Sequence, residues 1–251
     1  MGSRDSLIQR WARLSPHVRA YGPPDDRPRP AVLLFHGCGG IRGHLPAYAE
    51  AAAEAGFRAY VVDSYAPRRW PRQYGMVMVC TGAIFRGWER AGDVAAAIHG
   101  ISALPEVDAT RIALAGWSHG GWGIMELMAA PLTAEGEIGL ADPQKADLSG
   151  VRAVFLAYPY IGPIAVRRTA PWMRRPAAFA LIARRDHLTT VRNAERTYAA
   201  IGGGGVVFES WIAEGTHAFD EPMCFPPMRH DPALAREAIG RFQGFLAAAF
   251  E

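Results

Sequence analysis

The sequence contains little lysine, little cysteine and no large excess of charge of either sign. Lys145 is the only lysine among 27 basic residues, which stand against 24 acidic residues and give a net charge of +3. Such a balance does not indicate a strongly charged partner, and no nucleic-acid binding is expected. The apolar runs are interrupted by charged residues or glycine well before the ~20 residues that a membrane-spanning helix requires. We therefore predict no membrane span.

The three cysteines, Cys38, Cys80 and Cys224, are odd in number and lie far apart. This spacing predicts neither a disulfide framework nor a zinc site, and no metal or organic cofactor is expected. A bridge between Cys80 and Cys224 remains open, as does the alternative of buried free thiols. Few cysteines and the lack of an apolar signal-peptide segment near residue 1 favour a cytoplasmic location. The alternative is the periplasm, for a chain whose leader is missing from this sequence.

The pattern of apolar runs predicts an α/β fold. The chain has 251 residues, half of them hydrophobic, which suits a single domain over residues 1–251 with residues 1–30 as a lead-in. Near-continuous apolar strands that alternate with helices indicate a mostly parallel sheet with helices on both faces. The predicted strands are residues 31–36, 57–63, 111–117, 151–159, 177–183 and 206–212. The predicted helices are residues 46–55, 86–104, 121–130 and 191–201, and a last helix that begins at Asp231-Pro232.

Two segments, residues 64–85 and 160–175, break this alternation. Each follows a predicted strand and contains aromatic residues, and the first also contains methionines. Ligands of such sheets bind at the carboxyl ends of the strands. We therefore expect these two segments to cover a pocket.

The strongest chemical motif is Gly-x-Ser-x-Gly at residues 116–120. It lies between a predicted strand and a predicted helix, where a sharp turn projects the hydroxyl of a nucleophilic serine above the sheet. The glycines avoid steric overlap in that turn. Ser118 is therefore the predicted nucleophile.

A serine hydroxyl needs a base, and the base needs an acid that orients it. In this kind of sheet both follow later strands, in the order serine, acid, histidine. Asp186 follows the strand at 177–183 and His217 follows the strand at 206–212, so both fit. Three competitors remain open: Asp220 for the acid, and His187 and His230 for the base.

The negative charge of a tetrahedral intermediate needs hydrogen-bond donors. The predicted donors are the backbone amides of His119, directly after the nucleophile, and of Cys38 in the glycine-rich loop at residues 36–40. That loop also resembles part of a dinucleotide-binding turn. Arg42, however, stands where the last glycine of that fingerprint is required.

These motifs together resemble the dienelactone hydrolase family of α/β hydrolases, from about residue 31 to the end. The resemblance is carried by HGCGG (36–40), VVDSYAPR (61–68), GWSHGG (116–121), RRDH (184–187) and THAFD (216–220). It implies an α/β-hydrolase fold and a serine or cysteine nucleophile that works with histidine and aspartate. By motif these are Ser118, His217 and Asp186. Many similar bacterial homologues are exported, which supports the periplasmic alternative.

The chain departs from the enzyme that names the family at two positions. That enzyme has a cysteine nucleophile and a glutamate in the loop after the strand, where this chain has Ser118 and Gly37. Its lactone specificity is therefore not carried over. An arginine binds the substrate carboxylate in that enzyme, and Arg68 is the nearest match here. The further substrate-binding candidates are Trp70, Tyr160 and Trp172, and for all four a purely structural or solvated role stays open.

The sequence thus predicts a serine hydrolase that cleaves carboxylic esters or lactones through an acyl-enzyme. Its expected partner is a small-molecule ester or lactone, and its oligomeric state is not indicated. Two alternatives stay open. One is a peptidase or amidase that acts on small substrates, and the other is a non-catalytic ligand-binding protein of the same fold.

Overall fold

A seven-stranded sheet forms the centre of the structure, a computed structural model that describes residues 4–165 and 167–251. The strands in chain order are β1 (Val18–Tyr21), β2 (Arg29–Phe35), β3 (Arg58–Val62), β4 (Val107–Trp117), β5 (Val151–Ala157), β6 (Ala177–Arg185) and β7 (Phe208–Thr216). Across the sheet their order is β1-β3-β2-β4-β5-β6-β7. Only β1 pairs antiparallel, and the other neighbours are parallel.

Helices pack on both faces of this sheet. They are α1 (Leu7–Leu14), α2 (His44–Glu54), α3 (Arg72–Tyr74), α4 (Gly87–Ile101), α5 (His119–Ala129), α6 (Val191–Gly202) and α7 (Pro232–Phe250). One apolar core lies between the sheet and α1, α4, α5 and α6, and a second lies between the sheet and α2 and α7. The central strands are buried on both faces, which is why they appear in the sequence as continuous apolar runs. The predicted α/β-hydrolase fold class is confirmed.

All six predicted strands are present, and the sequence patterns missed β1 and α1. Strand β1 has four residues, two exposed and two half-buried, which are too few for a periodic pattern. Helix α1 buries only Leu7 and Leu14, and it begins with a capping box between Ser6 and Gln9. The strand predicted at residues 206–212 begins and ends before the observed strand β7 (Phe208–Thr216) does. The actual strand β7 lies at the sheet edge, and only Ala213 and Gly215 of it are buried, so the strand is not a continuous apolar run.

The connections place an open crevice between β2 and β4. After β2 the chain crosses to β3 on one side, and it then returns to β4 on the other side. The loops that follow β2 and β4 therefore diverge at the carboxyl edge of the sheet. This is the position where parallel sheets form ligand sites.

The two segments that break the alternation both contribute to the wall of this crevice. Residues 64–85 contain α3 and a π-helical turn (Gly75–Val79), and they form a small cluster of buried side chains around Tyr65 and Phe85. Residues 160–175 form turns, and within them Val166 lies outside the described residues. None of the helices within residues 4–165 and 167–251 combines the length and the hydrophobicity that a membrane-spanning helix requires.

Candidate active site

Ser118 lies on a sharp turn between β4 and α5, with a backbone φ of +48°. This conformation is rare for a residue with a side chain. The flanking glycines are required by close packing. A Cβ on Gly116 would lie 2.6 Å from the amide nitrogen of Gly121, and one on Gly120 would overlap the carbonyl oxygen of Phe35. The local sequence therefore makes the turn tight enough to present the hydroxyl above the sheet.

The side chains of Ser118, His217 and Asp186 form a continuous hydrogen-bonded row. His217 Nε2 lies 2.9 Å from Ser118 Oγ, and His217 Nδ1 lies 2.7 Å from Asp186 Oδ2. All three residues are buried. The three residues come from the ends of β4, β6 and β7, as the sequence patterns predict for the positions of nucleophile, acid and base.

Asp186 is held in place by the backbone that follows it. Its Oδ1 accepts hydrogen bonds from the amides of Leu188 at 2.7 Å and Thr189 at 3.0 Å, which leaves Oδ2 for His217. The competing acid, Asp220, makes none of these contacts. It binds the side chains of Tyr48, Trp117 and Tyr158 instead.

The competing bases are also placed apart from this row. The ring of His187 lies against the ring of His217, 5.7 Å between centroids, and makes no hydrogen bond to Ser118 among the described residues. His230 is exposed. The arrangement therefore favours His217 as the group beside the serine hydroxyl.

The glycine-rich loop after β2 passes directly beside the serine. A Cβ on Gly37 would lie 3.3 Å from the Cβ of Ser118, so the loop can approach this closely because residue 37 is glycine. Cys38 and His119 both line the cavity above Ser118. Within residues 4–165 and 167–251, neither of these backbone N–H groups donates a hydrogen bond. Both predicted donors are therefore available to a ligand.

Two buried histidine rings support these loops in the neutral state. His119 Nε2 donates to the carbonyl of Phe85 at 2.7 Å. Burial, with a smaller effect of the nearby Arg90, lowers the pKa of His119 to about 3. Burial likewise lowers the pKa of His36 well below its usual range, and its ring bridges the Gly37 carbonyl and the Ser64 amide. The neutral His36 ring thus acts through one donor and one acceptor, whereas His119 uses Nε2 alone, and its buried Nδ1 has no partner among the described residues.

A cavity of about 230 Å³ opens over Ser118. The two segments at residues 64–85 and 160–175 cover this cavity and are therefore called the covering segments. Its apolar wall includes Met76 and Val79 from the first of them, Ile164 from the second, and Trp122 from α5. Tyr160 also lines it, with its ring 5.2 Å from that of Trp122. Tyr160 is thus the one predicted substrate-binding residue that the described structure places at the cavity.

The other three predicted substrate-binding residues lie elsewhere. Arg68 binds the fully buried Asp93 through two nitrogens, at 2.8 and 2.9 Å, and its guanidinium lies over the ring of Phe85. Trp70 packs beside Phe85 and lines a separate, open cavity. Trp172 is buried in the core against Phe208. None of these three residues lines the cavity over Ser118, so a contact of any of them with substrate stays a prediction.

Arg72 occupies the position expected for Arg68. It lines the cavity over Ser118, and its Nε is buried without a hydrogen-bond partner in the part of the chain that the structure describes. The sequence does not single out Arg72, because several arginines follow β3 at close spacing. The turns between them decide which one faces the cavity, and those turns have no clear pattern in the sequence.

The structure pairs the cysteines differently from the bridge between Cys80 and Cys224 that the sequence left open. A disulfide joins Cys38 to Cys80, and Cys224 is free. A bridge between Cys80 and Cys224 is therefore wrong for this structure. Because Cys38 lies in the glycine-rich loop and Cys80 in the covering segment, the disulfide ties the loop beside Ser118 to the cavity wall. No cluster of three histidine, cysteine, aspartate or glutamate residues suited to a metal occurs among the described residues.

The family model of the dienelactone hydrolase family matches residues 17–249, which is most of the chain. The chain belongs to the dienelactone hydrolase family. No curated protein matches it by sequence.

Solved structures similar to the chain share its fold at low identity. One is a putative dienelactone hydrolase from Klebsiella pneumoniae (14% identity, 92% of each chain, TM-score 0.65). Another is a dienelactone hydrolase-like promiscuous phosphotriesterase from metagenomic libraries (16%, 92% of each chain, TM-score 0.66). A third is the butyrate-bound esterase 2 of Thermogutta terrifontis (16%, 92% of this chain and 88% of that one, TM-score 0.61). At such identities the likeness shows the fold alone.

The disulfide predicts a thiol count. The denatured protein should react with Ellman's reagent at one thiol, Cys224, before reduction and at three thiols after it. A Cys224→Ser variant should show none before and two after. Reduction should also destabilise the fold by up to about 4 kcal/mol, since the bridge closes a loop with a sequence separation of 42. Three thiols without reductant, or a peptide map that joins Cys80 to Cys224, would contradict this pairing.

Proposed function

We propose that this protein is a serine hydrolase that cleaves carboxylic esters or lactones through a covalent acyl-enzyme. The observation that carries the proposal is the row of hydrogen bonds from Ser118 through His217 to Asp186. Family membership supports hydrolase chemistry in general. A nucleophile beside a base that is oriented by a carboxylate is the arrangement that activates a serine.

In the proposed mechanism His217 takes the proton of Ser118 as Oγ attacks the substrate carbonyl. Asp186 holds the imidazole with Nδ1–H towards its own carboxylate, so that Nε2 is free to accept, and it stabilises the imidazolium. The oxyanion is held by the amides of Cys38 and His119. His217 then protonates the leaving alcohol, and water cleaves the acyl-enzyme by the reverse sequence of proton transfers.

The size of the cavity favours small substrates. A volume of about 230 Å³ lies below the range of roughly 300–1,000 Å³ typical of pockets for drug-sized ligands. The wall is largely apolar on the side of Trp122 and Ile164. We therefore expect short acyl groups to fit, with their apolar part against this side of the wall.

Arg72 supports a preference for substrates that carry a carboxylate. Its Nε is buried and has no protein partner within the described residues, whereas an arginine beside a carboxylate makes charge-assisted hydrogen bonds. Among the described residues, Glu221 is the one acidic side chain in the cavity wall, and Arg42 binds it at 2.7 Å. Arg72 is therefore free to bind an anionic group of the substrate.

The disulfide also bears on location. Disulfides persist in oxidising compartments and are rare in the cytosol. The Cys38–Cys80 bond therefore supports the periplasmic alternative over the cytoplasmic expectation.

The proposed function predicts hydrolysis of p-nitrophenyl esters, measured from acetate to decanoate. Rates should be highest for the short acyl chains. Ser118→Ala should lower kcat by about 10⁴-fold or more, as removal of a nucleophile does in serine hydrolases. The control is Ser64→Ala, a buried serine whose hydroxyl has no partner among the described residues and lies outside the cavity wall. A Ser118→Ala enzyme that keeps a tenth of the rate would contradict the assignment, and a folded wild type inactive on every ester would favour the non-catalytic alternative.

The position of Arg72 predicts a selective change in KM. Arg72→Met should raise KM for the mono-p-nitrophenyl ester of succinic acid by about tenfold, the worth of one charge-assisted hydrogen bond. KM for the neutral p-nitrophenyl butyrate should stay within about twofold. Arg69→Met, in the same segment but outside this cavity, should change neither value. Equal effects of Arg72→Met on the charged and neutral esters would show that Arg72 only packs against the cavity.

A further inference from the structure

Asp220 is a buried carboxylate that the proposed mechanism does not use. It is 2% exposed and accepts three side-chain hydrogen bonds. Oδ2 accepts from the Tyr48 hydroxyl at 2.9 Å and from the Trp117 indole N–H at 3.2 Å, and Oδ1 accepts from the Tyr158 hydroxyl. No arginine, lysine or histidine forms an ion pair with it among residues 4–165 and 167–251.

Two of these donors are next to the proposed catalytic groups. Trp117 directly precedes Ser118. Tyr158 follows β5, and its ring packs edge-on against His217, 4.8 Å between centroids. Asp220 itself lies three residues after His217. One carboxylate thus joins the turn that carries the serine, the ring that touches the base, and the loop that carries the base.

All three of these turns are strained. Ser118, Tyr158 and Ala218 have φ values of +48°, +36° and +54°. Such a conformation is unfavourable by about 1–3 kcal/mol for a residue with a side chain, and it persists only where the surrounding structure holds it. Hydrogen bonds to a single buried acceptor can hold several turns at once, because none of them can relax without breaking a bond to that acceptor.

We propose that Asp220 is a positioning residue, which sets the distance and orientation between Ser118 and His217 through its hydrogen bonds to Trp117 and Tyr158. This inference rests on the proposed function.

The chemistry around Asp220 calls for a group that only accepts. The Trp117 indole can only donate. Burial and the charge of Asp220 raise the pKa values of Tyr48 and Tyr158 well above their usual range, so both hydroxyls keep their protons. An asparagine offers one acceptor oxygen and one donor nitrogen. In Asp220→Asn the one oxygen can accept either from Tyr48 and Trp117 or from Tyr158, and the amide nitrogen faces the remaining donor. At least one of the three hydrogen bonds must therefore change.

The first test is Asp220→Asn. We expect kcat on p-nitrophenyl butyrate to fall about tenfold or more, because a displacement of about 1 Å between reacting groups lowers rates by as much as 100-fold. KM should stay within about twofold, since Asp220 does not line the cavity. A folded Asp220→Asn enzyme with wild-type kcat would overturn the proposal.

A matched pair of hydroxyl deletions separates positioning from plain stability. Tyr48→Phe and Tyr158→Phe each remove one buried hydrogen bond to the same carboxylate, but only the Tyr158 ring touches His217. Both should lower the unfolding midpoint. Tyr158→Phe should lower kcat about tenfold with little change in KM, and Tyr48→Phe should keep kcat within about threefold. Equal loss of kcat in both, or loss in neither, would overturn the role.

The outcomes also separate this inference from the proposed function. If wild-type enzyme hydrolyses esters and loses that activity in Ser118→Ala, the function stands, and the three variants then decide on Asp220 alone. If Asp220→Asn does not fold, the two phenylalanine variants decide, since they keep the carboxylate. A wild type without esterase activity overturns the function and the role of Asp220 with it.

Discussion

The backbone turn at Ser118 is the constraint on which the rest of the site depends. Its positive φ brings the serine hydroxyl above the carboxyl edge of the sheet, and it is held between β4 and α5 by glycines that leave no room for side chains. Once Oγ is there, a base that follows a later strand can reach it, and His217 does so from the end of β7. The parallel sheet therefore serves the proposed chemistry by bringing strand ends together, while the loops supply the reacting groups.

The wall of the cavity has a packing cluster of its own, in addition to the contacts that hold Ser118, His217 and Asp186. Residues 64–85 pack through a small cluster of their own around Tyr65 and Phe85, apart from the two main cores. The Cys38–Cys80 disulfide and the hydrogen bond from the Tyr65 hydroxyl to the Cys38 carbonyl, at 3.1 Å, tie this segment to the loop beside Ser118. The amide that we propose as an oxyanion donor is thus positioned partly by the segment that also shapes the substrate cavity.

The fold and the row of three side chains could be predicted from the sequence, because both depend on short-range patterns. Buried parallel strands are continuous apolar runs, and each member of the row follows one of them. The pairing of Cys38 with Cys80, and the cavity position of Arg72 rather than Arg68, could not be predicted. Both depend on how irregular turns fold back on one another. Arg68, for example, is held by Asp93, which lies on α4, beyond the end of the covering segment at residues 64–85. The same limit applies to Asp220, whose three partners come from three distant elements.

The central claim is that Ser118 is the nucleophile and that His217 activates it. Labelling with a fluorophosphonate, followed by peptide mapping by mass spectrometry, tests this most directly, because the reagent forms a stable bond to an activated serine. The account predicts a single phosphonyl group on Ser118 in the wild type and a strongly reduced labelling rate in His217→Ala. Absence of labelling in the folded wild type, a label on another serine, or an unchanged rate in His217→Ala would contradict it.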